Sequence, residues 1–212
     1  MRQTALAILL VVSGSLVASA QSVSVGVVGG GSLVTPNIYT DDSHRYIAGP
    51  SVEVRLPRGF AVEADALYQR VGTTFSYAFI PSGPDLLPFY PYALSGVTRT
   101  VGSVWQFPVL GKYYFNRSSK FQPFVGLGPE LRTIGWRTDS SAVIVSGPST
   151  TPITSSSSSE SRSNSVGAVA VAGMRFQKGR LKLSPQFRFT RWSRQQGSLR
   201  TNEAGLMLGI HF

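Results

Sequence analysis

The sequence predicts an all-β fold: one eight-stranded antiparallel up-and-down transmembrane β-barrel, with short turns at one end and long loops at the other. Three observations predict it. Apolar and polar residues alternate with period two along nearly the whole chain. The connections between alternating runs are by turns short and long. Charge is sorted almost entirely onto one face of the runs. Composition agrees. Only 14% of the 212 residues are charged, against about a quarter in a soluble domain. Beyond the first twenty residues no stretch reaches the roughly 20 apolar residues of a membrane helix. High Gly (22) and 11% aromatics argue against a helical bundle, a coiled coil or disorder.

Residues 1–20 read as a secretory signal. Arg2 is the positive start, Ala5–Val12 the apolar core and Ala18-Ser19-Ala20 the cleavage site. The barrel domain is then 21–212. There is no cysteine, which excludes disulfides and thiolate metal sites. Val23, Val25 and Val27 share one face of the first strand. The first hairpin has Val52, Val54 and Leu56, a turn at Pro57-Arg58-Gly59, then Phe60, Val62, Ala64, Ala66 and Tyr68. The second runs from Trp105 to Phe115, turns at Asn116–Lys120, and continues from Phe121 to Leu131. The third runs from Val166 to Phe176, turns at Gln177–Arg180, and continues from Leu181 to Phe189. Leu206, Leu208, Ile210 and Phe212 mark the last strand. The longer connections fall at Gly31–Tyr46, Val71–Thr100, Thr133–Asn164 and Ser193–Thr201. Short turns opposite long loops are the pattern of a membrane barrel, and an even strand number puts both termini at the short-turn end.

On the hairpins the apolar face carries essentially no charge, Arg191 at a loop end being the exception. The other face holds Glu53, Arg55, Glu63, Asp65, Lys112, Glu130, Arg132, Arg175, Lys182 and Arg188. A soluble sandwich or lipocalin-like barrel would bury the apolar face. Aromatics near strand ends favour the inverse, with lipid outside and charge inside. They are Phe60, Tyr68, Trp105, Tyr113, Phe115, Phe121, Phe176, Phe189 and Trp192, read as two interfacial girdles. Inward glycines such as Gly26, Gly49, Gly128 and Gly173 leave room for long side chains. Four inward acids facing six inward bases are expected to form an ion-pair network that fills the narrow lumen.

The runs Phe107-Pro108-Val109-Leu110-Gly111-Lys112-Tyr113-Tyr114-Phe115 and Phe121-Gln122-Pro123-Phe124-Val125-Gly126-Leu127-Gly128, with the terminal Phe212, carry a resemblance. The chain resembles small outer-membrane barrels of the OmpA/OmpX/opacity-protein type, over its whole mature length. The resemblance implies outer-membrane localisation. It also implies a C-terminal assembly signal, with Ile210 and Phe212 as the apolar pair read by the insertion machinery. Met207 departs from the glycine that this signal prefers. The peptidoglycan-binding domain of OmpA is not expected, because the sequence stops at the last strand.

Chemistry is sparse. His44 lies beside Asp41 and Asp42 in a loop with no second ligand cluster, and His211 reads as a hydrogen-bonded inner-face residue. Ser155–Ser159 reads as a low-complexity loop rather than a nucleophile site. No catalytic residue, cofactor or metal is expected. The +10 net charge does not point to nucleic acid, because the chain is exported and its bases are scattered. Arg191, Arg194 and Arg200 flank the last loop, where they could meet lipid phosphates. The apolar loop bearing Phe89, Tyr90 and Tyr92 either covers the barrel mouth, extends two strands, or binds a surface partner. The expected role is structural or surface-interactive in a monomer contacting outer-membrane lipids. A small pore and, behind it, a lipid-modifying enzyme are the alternatives.

Overall fold

The computed structural model describes residues 23–33, 44, 46–79, 92–116, 120–146, 153–194 and 201–212. The signal segment, Phe89 and Tyr90 lie outside these residues. The strands are β1 (Val23–Ser32), β2 (Tyr46–Arg55), β3 (Phe60–Asp65), β4 (Leu67–Phe79), β5 (Tyr92–Tyr114), β6 (Phe121–Ser146), β7 (Ile153–Lys178), β8 (Leu181–Trp192) and β9 (Asn202–His211). Every pairing is antiparallel, β3 and β4 each lie between β2 and β5, and β1 pairs with both β2 and β9, so the sheet closes. Closure is the condition for β-structure in lipid, since it leaves no unpaired edge there.

The nine segments occupy eight positions in the ring. β3 and β4 keep one register against β2 (Ser51↔Asp65, Ala48↔Tyr68) and one against β5 (Ala64↔Val109, Leu67↔Gln106). The ladder lapses at Ala66 because its partner is proline. Ala66 N donates to the Pro50 carbonyl at 3.0 Å, and Pro50 has no N–H to return the bond. The side-chain alternation passes through the break unchanged.

The outward row is apolar and exposed, with Val25, Val62, Val109, Leu127, Leu131, Phe187 and Leu208 along it. Phe60 pairs with Tyr113 and Phe121 with Phe176 near the short turns, and Tyr68 pairs with Trp105 toward the long-loop end. Trp105 and Tyr113 share a strand face roughly 27 Å apart along the strand. Tilt reduces that to about 20 Å of height, close to the apolar band of an outer-membrane barrel. Trp192 is not part of a girdle. It is 3% exposed and points into the lumen, because its even position puts it in phase with Arg188 and Thr190.

Two of the longer connections are largely strand, the first of them by the extension of two strands that was one of its expected readings. β4 and β5 pair from Leu67↔Gln106 to Phe79↔Leu94, and β6 and β7 from Phe121↔Phe176 to Ile144↔Ile153. Ser155–Ser159 is therefore strand, paired with Thr138–Ala142. The alternation signal fails there because both faces meet solvent, so nothing selects apolar residues at every second position. β7 pairs with β8 only as far as Gly167↔Trp192. A four-stranded sheet, β4 to β7, thus continues beyond the ring.

Two inner-face glycines sit where strands approach closely. A Cβ on Gly49 would run into the Ala66 carbonyl, and one on Gly128 into the Val109 carbonyl. Alanine at either position is expected to destabilise the barrel by about 1–3 kcal/mol, read as a lower temperature for loss of the compact gel form. Gly111→Ala, whose Cβ would find its nearest neighbour at 3.7 Å, is expected to behave as wild type.

Candidate functional site

The lumen is where the sequence concentrates its charge. Parity places all ten named residues on the inner face. Eight are buried, and Arg55 and Lys182, near the short-turn end, are half-buried. Glu53 on β2 is the centre of the lower network. Arg175 on β7 donates to both its carboxylate oxygens, Tyr114 Oη donates to it at 2.7 Å, and Arg55 Nε lies 3.6 Å away. The Arg175 guanidinium also stacks 4.5 Å from the Tyr114 ring centroid. Arg55 donates to Gln122 at 2.8 Å, and Lys182 donates to Ser24.

Lys112 on β5 reaches Glu63 on β3 at 2.5 Å and lies over the Phe124 ring. Arg188 on β8 donates to Asp65 at 2.8 Å and lies 3.9 Å from Glu63. His211 Nε2 is 3.1 Å from Ser51 Oγ and 3.8 Å from Glu63. Glu130 accepts from Thr190 at 2.8 Å. At the upper level Arg132 stacks 4.1 Å from the Trp192 ring and lies 3.8 Å from Glu203, which also accepts from Trp192 Nε1 at 3.1 Å.

Glu203 is a lumen acid that the sequence reading missed. It lies in phase with Gly205, Met207 and His211, and extending the last strand by two residues would have found it. Tyr114 was missed as a hydrogen-bonding partner because its neighbour Tyr113 is the outward aromatic.

Apolar clusters pack beside the polar groups. One joins Leu110, Tyr114, Phe124, Val169 and Val171, a second Val28, Ile47, Leu67 and Met207. A third, Val71, Val104 and Ile134 with Trp136 against it, sits at the base of the sheet extension. Among the described residues, a cavity between Gln69, Gln106, Arg188 and Glu203 holds about 20 Å³, room for about one water.

The extension carries different chemistry on its two faces. On the lumen side, Thr98–Ser140 and Thr100–Thr138 pair through their hydroxyls at 3.2 and 3.1 Å. Trp136 covers Gly102, and Phe75 and Phe79 are more than half exposed. On the other side Arg137 Nε pairs with Asp139 at 3.2 Å in the open. A hydrogen bond from Ser158, then Arg137 beside it, holds the Asp139 carboxyl below its ordinary range. Of the expected interaction residues, Tyr92 begins β5. Ile210 pairs with Val27 and Leu183 on the lipid face, and Phe212 N donates to the Val25 carbonyl at 3.0 Å.

No curated protein sequence matches the chain. Among solved structures it is similar to Neisserial surface protein A, at 14% identity over 91% of this chain and 98% of that one, with a TM-score of 0.54. It also matches the N-terminal barrel of Pseudomonas aeruginosa OprF (13% identity, 89% and 97% covered, TM-score 0.40). A third match is Ail of Yersinia pestis, solved with the heparin analogue sucrose octasulfate (14%, 90% and 96%, TM-score 0.38). The first of these supports the barrel fold. The model of the outer membrane protein beta-barrel domain matches residues 19–191. With a closed ring, an apolar girth between aromatic rows and a charged interior, the chain belongs to the outer membrane protein β-barrel domain family, and it resides in the outer membrane.

Proposed function

We propose that this barrel has a structural or surface-interaction role in the envelope, and that its lumen is closed by its own side chains. The observation that carries the reading is the lumen's packing. Arg175 and Glu53 are fully buried and joined by two hydrogen bonds, and Lys112 and Glu63 are equally enclosed. A solute crossing would have to break such pairs and replace them, and an unpaired charge in a dry interior costs several kcal/mol. The β4–β7 sheet then serves as the working surface. It stands on a filled barrel and exposes Phe75 and Phe79 beside rows of hydroxyls. Planar-bilayer recording tests this reading. The mature protein is expected to show only small, rare openings. Steady, high conductance would overturn the closed lumen and favour a pore.

A further inference from the structure

The wall of the barrel has a lateral notch where β8 parts from β7. The last contacts there are Gly167↔Trp192 and Ser193 N donating to the Val166 carbonyl at 2.9 Å. Beyond them β7 remains paired with β6, and among the described residues no strand pairs with its other edge. A cleft of about 420 Å³ occupies the notch, within the size range of small-molecule sites, and its lining includes Leu131, Thr133, Asn164, Val166, Ser193 and Arg194.

The lining is graded. Leu131 and Val166 are lipid-facing and more than half exposed. Thr133 and Asn164 pair across β6 and β7 one step further out, in the cross-strand row that contains Tyr68 and Trp105 of the girdle. Arg194 lines the cleft, and exposed Arg162 lies two residues beyond Asn164 on the same face of β7. Among the described residues neither arginine has an acidic partner. The lining contains no acid. Glu160, the nearest carboxylate along β7, stands beyond Arg162 and opposite Arg137. Arg132, at the cleft floor, is occupied by Trp192 and Glu203.

We infer that this notch binds a phosphorylated lipid of the outer leaflet, with acyl chains against Leu131 and Val166 and phosphate between Arg162 and Arg194. The row through Trp105, Thr133 and Asn164 puts the cleft near the girdle end of the apolar band. An apolar sill below it, Arg194 lining the cleft and Arg162 further along β7 match a molecule that is apolar below and anionic above. Guanidinium suits phosphate through paired N–H donors. A soluble anion would use the arginines but gain nothing from the sill. The inference concerns the outer wall and does not depend on whether the lumen conducts.

The test is native mass spectrometry of the folded mature protein in detergent, titrated with phosphatidic acid or with phosphatidylcholine of the same chains. Wild type is expected to retain phosphatidic acid preferentially. Arg162→Gln with Arg194→Gln is expected to weaken retention by about tenfold or more, with the heat-modifiable folded form unchanged. Arg58→Gln with Arg180→Gln, which removes equal charge from the short turns, is expected to leave it intact. Equal retention of the two lipids would overturn the inference, as would an equal loss from the turn variant. Competition by glycerol phosphate as effective as that by the lipid would overturn it too, because it would show that the sill contributes nothing.

Discussion

Arg175→Ala is expected to destabilise the folded barrel by about 3–5 kcal/mol, the largest effect of any single lumen substitution. The guanidinium holds both oxygens of Glu53, donates to Ser184 at 3.3 Å and lies against the Tyr114 ring. Its removal leaves the Glu53 carboxylate at 0% exposure with Tyr114 and a distant Arg55 as its remaining partners. Urea titration of the protein refolded in lipid vesicles measures the loss. Two comparisons separate burial from mere charge. Arg137→Ala removes an exposed pair and is expected to change stability by at most about 0.5 kcal/mol. Arg175→Leu combined with Glu53→Leu removes both charges and is expected to be more stable than either single substitution. Full recovery is not expected, because Tyr114 then loses its acceptor. A double variant no better than the singles would mean that packing, not charge, holds this level of the lumen.

Leu127→Arg is expected to cost about 2–4 kcal/mol in vesicles, the penalty of a cation facing lipid near the midplane. Leu127 is 74% exposed and sits on the outward row, opposite Gly111 and Ala170. Val97 shares the outward parity but lies on the extension, opposite Ser76 and Ser141. Val97→Arg is expected to cost less than about 1 kcal/mol, since water reaches it. The contrast between two exposed apolar positions is a depth measurement. Equal costs would mean that the apolar band does not lie where the aromatic rows put it.

Much of this barrel was legible in its sequence. A strand in lipid must be apolar on one side, and a narrow lumen must pair what it buries, so period two with sorted charge identifies each membrane-crossing strand and its inner face. Glu53, Lys112 and Arg175 could be assigned to the lumen on parity alone. Parity does not identify partners. That Arg175 takes Glu53, Lys112 takes Glu63 and Glu130 meets Thr190 depends on the stagger between strands distant in sequence, which only the closed ring fixes. The same limit hid Glu203, whose role depends on Trp192 and Arg132 meeting it across the interior. The β6–β7 part of the extension was illegible for the opposite reason. Ser155–Ser159 has no buried face, so its sequence carries no alternation. It is strand because β6 supplies a continuous row of backbone partners, and hydrogen bonding to a neighbouring strand is a tertiary fact.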